Sequence, residues 1–435
     1  MWAFENIIYQ IYPIGFCGAP HENDGVLEHR ILKVIDYIPH LKKLGVGAVL
    51  FNPLFSSVAH GYDQNDLRRV DERLGTNDDL KEVCRALHDA GIRVMFDAVF
   101  NHVGRGFFAF KDLKEKGWES PYREWFTTNF DGDSPYGDGF WYEGWEGHYD
   151  LVKLSLWNHD VREYLFDSVR MWINEFGIDG LRLDVAYMLD RGFMHDLRCV
   201  TDAEKQDFFL FGEALFGDYN QLLGDGMLHS VTNYECYKGI HSSINSLNFF
   251  EISFSYNRQF GPEQWTLYKG KHLISFIDNH DVARIASVIN DSRNLECAFV
   301  MQFTMPGIPC VYYGSEWGIK GRKEDGDWAL RPAVEKPEWN GLTDLTAALA
   351  KMRAGSKALC YGGYRNVQVT NRQLVFARDL DGESVYTLLN LDDGGFDVYG
   401  DYLNGHFKDL VTGQEMDLSG SYCIPAHGYA VLARA

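Results

Sequence analysis

Carboxylates and histidines close four otherwise apolar runs of this sequence. FDAVFNH carries Asp97, Asn101 and His102, and GLRLDV carries Arg182 and Asp184. LFGEAL carries Glu213, and FIDNHD ends in Asp278, Asn279, His280 and Asp281. Each residue alone has an ordinary structural reading. An Asp at a strand end forms a turn or caps a helix, Arg182 and Asp184 could be a strand-end ion pair, and a lone His is usually a satisfied core residue. As a set they demand more, because gathering several carboxylates at one site costs several kcal/mol of desolvation. The chemistry they suit is glycoside hydrolysis, which uses one ionised carboxylate as nucleophile and one protonated carboxyl as acid. Arg182, two residues before Asp184 and on the same side of a strand, favours an ionised Asp184. Glu213, among Phe211, Leu215 and Phe216, is expected to hold its proton.

Positioning such a set requires strand ends that converge. Strand-like runs fall at Ile7–Tyr12, Ala48–Asn52, Arg93–Val99, Gly180–Val185, Phe208–Glu213, Ser230–Tyr234, Leu273–Asp278 and Pro309–Tyr313. Helix-period stretches separate them. Asn77–Ala90 opens on a cap and acidic first turn and stops at Gly91; Asp160–Phe176 stops at Gly177. Eight near-continuous apolar strands alternating with helices predict an α/β fold, a closed (β/α)8 barrel over residues 1–102 and 155–355, whose reactive groups sit at the C-terminal strand ends. Residues 103–154, rich in Gly, Asp, Trp and Tyr and without helical period, read as an excursion inserted after strand three. From 356 to 435 the helices stop, and short alternating runs with turns DGE and DDGG predict a C-terminal antiparallel β domain, a sandwich.

Composition narrows the partners. The 435 residues carry a formal charge of −21, which argues against a phosphate-backbone ligand. Aromatic residues make up 15%, which suits a neutral ligand with apolar faces such as a sugar, or simply a large core. The start, MWAFENIIYQIYP, reads as a first strand and not as a signal peptide. No run approaches eighteen apolar residues, so no membrane span is expected. Eight scattered cysteines without a CxxC pair read as reduced thiols, and the expected location is cytoplasmic.

DAVFNH, GLRLDVA, FGEAL and FIDNHD resemble, in order, the four signature segments of the α-amylase superfamily of retaining glycoside hydrolases. IIYQIYPIGF, GYD at 61–63 and GIPCVYYGSEWGIKG extend the resemblance over about residues 5–355. It implies Asp184 as nucleophile, Glu213 as general acid/base and Asp281 as the third carboxylate that binds and distorts the sugar. It places Tyr62, Asp97, His102, Arg182 and His280 around the reacting sugar, with Tyr62 stacking on it. The implied substrates are maltooligosaccharides, related short α-glucans or cyclodextrins; transglycosylation and sucrose or trehalose processing share the same trio. A non-catalytic sugar-binding barrel would have lost one of the three carboxylates, and all are present.

KLSLWNHDVREYL is similar to the region before strand four in the neopullulanase and cyclomaltodextrinase branch, with Val152 where that branch has Pro. The N-terminal β domain through which many of its members dimerise is not in this sequence, and oligomeric state is left open. Tyr187 and Met188 replace the Lys-His pair of secreted α-amylases, so the sequence does not support their structural calcium, which Asn101 alone leaves open; HENDG at 21–25 reads as a solvated acidic turn. No cofactor is required.

Overall fold

The computed structural model describes all 435 residues. Eight parallel strands form the barrel: β1 (Ile8–Ile11), β2 (Ala48–Phe51), β3 (Arg93–Ala98), β4 (Gly180–Leu183), β5 (Phe209–Gly212), β6 (Ser230–Val231), β7 (Ile274–Ser275) and β8 (Ile308–Tyr312). Register runs around the ring from Ile8 beside Ala48, through Asp97 beside Arg182 and Phe211 beside Ser230, to Cys310 beside Ile8. A bridge between Thr232 and Ile274 closes it.

The outer layer comprises α1 (Lys33–Leu44), α2 (Asn77–Asp89), α3 (His159–Phe176), α4 (Arg191–Glu204), α5 (Tyr234–Asn245), α6 (Phe249–Phe260), α7 (Leu295–Thr304) and α8 (Gly341–Ala354). The expected helix signals are present. Thr76 and Asp79 form a capping box on α2, Asn158 caps α3, and Gly177 ends α3 with φ +71°.

Inside the barrel, strand alternation stacks two kinds of residue. Ile8, Ala48, Leu50, Met95, Phe209, Phe211 and Ile308 pack the lower lumen. Two residues further along the same faces come Gln10, Asn52, Asp97 and Glu213, with Arg182 joining them from β4, all buried. An apolar plug therefore supports a polar lid at the C-terminal end.

The excursion differs from its expectation in one respect: it contains a helix, Phe108–Lys116, that buries Ala109, Phe110 and Leu113. Three short strands pair antiparallel beside it, His102–Gly104 with His148–Lys153 and that strand with Gly144–Trp145. Helices also continue past 356, where Ser356 caps the helix Lys357–Tyr361.

The C-terminal strands are β9 (Gly363–Val369), β10 (Gln373–Leu380), β11 (Glu383–Asn390), β12 (Phe396–Asp409), β13 (Glu415–Ile424) and β14 (Tyr429–Arg434). The C-terminal antiparallel β domain is one hydrogen-bonded sheet in the order β9-β10-β11-β14-β12-β13, whose halves share a core that includes Val375, Leu388, Val398, Phe407 and Ile424. The long β12 joins the halves, pairing with β13 along its length and with β14 at Phe407–Asp409. All eight cysteines are free, with Cys199 and Cys423 exposed and the other six buried. No helix is long and apolar enough to cross a membrane.

Candidate active site

The polar lid is organised around one guanidinium. The parallel register sets Asp97 of β3 directly beside Arg182 of β4, and Arg182 Nη1 donates to both Asp97 oxygens at 2.7 Å. The same nitrogen lies 3.3 Å from Asp184 Oδ1, while Nη2 lies 2.8 Å from Glu213 Oε1 on β5's end. Arg182 is thus shared by three carboxylates and approaches Asp97 and Glu213 more closely than Asp184, the partner its own strand suggests.

Neighbouring groups fix the carboxylates. Asn52 Nδ2 and Tyr62 OH donate to Asp97 Oδ2 at 2.8 and 2.9 Å. The Val185 N–H donates to Glu213 Oε2 at 3.1 Å, from a backbone in the left-handed region with φ 39°. His280 Nε2 lies 3.0 Å from Asp281 Oδ2 and also meets Tyr62 OH, while Gln10 Nε2 donates to its Nδ1 at 3.0 Å. The Gln10 amide nitrogen can only donate, so Nδ1 accepts from it and Nε2 faces Asp281.

Above this layer opens a cavity of about 430 Å³. Tyr62, His102, Asp184, Glu213 and Asp281 are on its wall. Asp97, Arg182 and His280 are not on that wall but bond to residues that are: Asp97 and His280 to Tyr62, and Arg182 to Asp184. Asp278 is not part of the site. The chain leaves extended conformation after Ser275, and the Asp278 carboxylate accepts from Ser315 Oγ and the Ile285 N–H at 2.7 and 2.8 Å.

The electrostatics separate the acids. Burial pushes Asp184 well above the usual carboxylate range; Arg182 opposes that shift, and Glu213, Asp97 and Asp281 reinforce it. Burial also acts to raise Asp281, but His280, Arg331 and Arg182 override it and hold that carboxyl well below its ordinary value. Burial and the neighbouring His60 pull His102 down to about 3, so its imidazole is neutral at pH 7. Asn101 Nδ2 donates to His102 Nδ1 at 3.1 Å, and Nε2 has no protein partner.

Several wall residues escaped the sequence reading. Tyr234, Lys323, Asp327 and Arg331 sit on segments outside the barrel strands, where no period marks a side chain as inward. Of the excursion's aromatics, Trp145 reaches the wall beside His148. Trp125, Phe140 and Tyr142 are buried in the excursion's own core, whereas Trp118 is 62% exposed. Trp317 is buried, and Trp328 stacks on His21 with ring centroids 3.7 Å apart. The 21–25 segment is a turn in which Asn23 and Asp24 accept from the Gly25 and Val26 N–H groups. No group of three or more His, Cys, Asp or Glu side chains is arranged to hold a metal ion.

Comparison with known proteins adds an independent line. A family model described as "Alpha amylase, catalytic domain" matches residues 10–356. A cyclomaltodextrinase from a Bacillus species is 32% identical over 432 residues, covering 91% of this chain and 74% of its own. Neopullulanase 2 from Thermoactinomyces vulgaris is 31% identical over 418 residues, covering 89% and 70%. Among solved structures, the ligand-free cyclic α-maltosyl-(1→6)-maltose hydrolase from Arthrobacter globiformis aligns over 100% of both chains with a TM-score of 0.84. At 24% identity it speaks to the fold alone.

Proposed function

The chain belongs to the α-amylase family of glycoside hydrolases, in its cyclomaltodextrinase and neopullulanase branch, and on that premise we propose that it is a retaining α-glycosidase acting on short α-glucans. Maltooligosaccharides and cyclodextrins are the substrates that best fit these relatives. The observation that carries the reading is the guanidinium of Arg182, which reaches both Asp184 and Glu213 at the wall of one cavity. Two carboxyl groups held by one small planar group can address the same glycosidic bond from neighbouring strands.

In this mechanism Glu213 donates its proton to the glycosidic oxygen while an Asp184 oxygen attacks the anomeric carbon. The bond to the leaving sugar breaks, and a covalent glycosyl ester on Asp184 forms. Water then gives a proton to Glu213 and displaces Asp184, which restores both residues and retains the anomeric configuration. The starting state needs one proton between the two carboxyls, placed on Glu213. The upward push on Asp184 keeps a proton within the pair, and the leaving oxygen would draw it to Glu213. Asp281, held ionised, would accept hydroxyl protons of the reacting sugar. His102 remains a neutral imidazole on the cavity wall.

Two measurements test the reading. Glu213→Gln should lower turnover of maltotriose by about 10²–10⁴-fold with the fold intact, and full activity would sink it. NMR of the first-formed product should show the α-anomer, and a β-anomer would replace double displacement with inversion. Product analysis on maltotriose, pullulan, sucrose and cyclodextrin separates hydrolysis from transglycosylation and from sucrose processing.

A further inference from the structure

Asp281 is the one acid of the trio whose side chain is substantially open to solvent, at 36% exposure. A half-exposed carboxylate rotates freely unless its oxygens are taken, and here different donors take each. His280 Nε2 holds Oδ2 at 3.0 Å, and Arg331 Nη2 donates to Oδ1 at 3.0 Å. Arg331 also donates from Nε to the His280 carbonyl at 3.1 Å, so one guanidinium fixes both the backbone and the side chain around Asp281. The fork geometry of arginine permits this; a lysine ammonium would serve one acceptor well and the other poorly.

Arg331 is itself held rigidly. It is 5% exposed, and its guanidinium lies over the Tyr12 ring at 4.6 Å. The carbonyl before it, Leu330, accepts from Arg284 Nε and Nη2 at 3.1 and 2.8 Å and from Tyr312 OH at 3.2 Å. The carbonyl after it, Pro332, accepts from Tyr313 OH at 2.8 Å. Its own carbonyl packs so close to Gly15 that a Cβ there would meet the oxygen at 2.1 Å. The chain is therefore pinned on three consecutive residues where the 3-10 helix Asp327–Leu330 ends, and the side chain in the middle ends on Asp281.

We propose that Arg331 is a positioning residue for Asp281, setting the carboxylate plane so that its remaining lone pairs face the reacting sugar. The inference rests on the glycosidase reading above. Arg331 Nη2 also lies 3.5 Å from Asp327 Oδ2 on the cavity wall. Contact with a more distant sugar is thus the competing role, and the substrate must distinguish the two.

The test compares α-glucosyl fluoride, which carries a single sugar, with maltotriose. Arg331→Met keeps the stem over Tyr12 and removes both donors. It should lower kcat about 100-fold on both substrates with little change in KM, the loss expected when a reacting group is misplaced. Arg331→Lys should recover part of that loss. In an Asp281→Ala background, Arg331→Lys should cost nothing further, because the partner it positions is already lost. Loss on maltotriose alone, with glucosyl fluoride turned over normally, would overturn the proposal in favour of distant-sugar binding. Additive losses in the double variant would overturn it equally. If Arg331→Met does not fold, the Arg331→Lys rescue and the double variant decide. Failure of the parent enzyme to hydrolyse either substrate would overturn the glycosidase reading itself, an outcome visible before any variant is made.

Discussion

The barrel mouth and the seam between barrel and C-terminal sheet both bury arginine, and they answer its charge differently. At the mouth Arg182 faces Asp97, Asp184 and Glu213. At the seam Arg353 of α8 and Arg378 of β10 are buried and meet backbone carbonyls instead of acids. Arg353 Nη1 donates to Phe303 and Leu359 at 3.2 and 3.0 Å, and its Nη2 to Gly307. Arg378 gives two donors to the Gly362 carbonyl at 3.1 and 2.8 Å and one to Thr304 at 2.9 Å. Phe303 and Thr304 end α7, while Leu359 and the cap Gly362 end the short helix Lys357–Tyr361 that follows α8. The two guanidinium groups therefore cover orphan carbonyls at two helix C-termini, where the helix dipole favours a cation. Carbonyl dipoles cannot titrate or turn toward a ligand; carboxylates can do both. The seam spends buried charge on rigidity, and the mouth keeps it available for chemistry.

This contrast breaks most visibly at Asp184. Asp184→Asn should lower kcat at least about 10⁴-fold, since it removes the nucleophile. Because the acid sits among like charges, its removal should leave thermal stability unchanged or improved. A variant that loses activity by unfolding would erase the distinction between the two regions. The seam should behave in reverse. Arg378→Met leaves the Gly362 and Thr304 carbonyls unpaired and should cost about 3 kcal/mol in denaturant unfolding, while kcat per folded molecule stays at the parent value. A drop in kcat without lost stability would show that the seam reaches the site.

Acidity sharpens the comparison. An imidazole held neutral down to about pH 3, as His102 is, gains its proton on unfolding anywhere between there and its ordinary 6.5. The unfolded state then binds more protons, so stability rises with pH through that window and falls on acidification. Asp184, raised by burial, contributes the opposite slope. The His102→Asn variant should therefore gain on the parent by on the order of 1 kcal/mol per pH unit as pH falls below 6.5. The deficit of Arg378→Met should stay constant over the same range, because nothing it touches titrates there. Urea unfolding at pH 5 and 7.5 measures both.

The period-two alternation made the mouth legible in sequence: Asp97, Arg182, Asp184 and Glu213 interrupt apolar runs at inward positions. What it concealed was the cross-strand neighbour. Arg182 looks like the partner of Asp184, two residues away, yet the parallel register sets it beside Asp97 on another strand. Asp278 misleads for the related reason that alternation ends where β7 ends. Arg331 carries no signal at all, since its segment has no period, and only the anchors on Leu330 and Pro332 make it inward. The seam was equally silent. Nothing in LAKMRA or VFARD marks Arg353 or Arg378 as buried, and only the packing of the C-terminal sheet against the barrel helices makes them core.

Val185 tests whether the mouth tolerates strain for its chemistry. A β-branched residue at φ 39°, ψ 45° is disfavoured by about 1–2 kcal/mol relative to right-handed backbone. Glycine there would relieve the strain and lose roughly 0.5–1 kcal/mol to chain entropy. Val185 is also 5% exposed, and removing its buried side chain costs about 1.5–3 kcal/mol, so Val185→Gly should destabilise the protein by about 1–2 kcal/mol despite the relieved strain. The strained turn also aims the Val185 N–H at Glu213 Oε2, and a glycine, free to leave that turn, would hold the acid/base less firmly. A modest fall in kcat beside a stability loss smaller than the lost burial alone would give is the expected pair of results. If kcat is unchanged, the turn serves only to exit β4, and the arrangement of Glu213 depends on Arg182 alone.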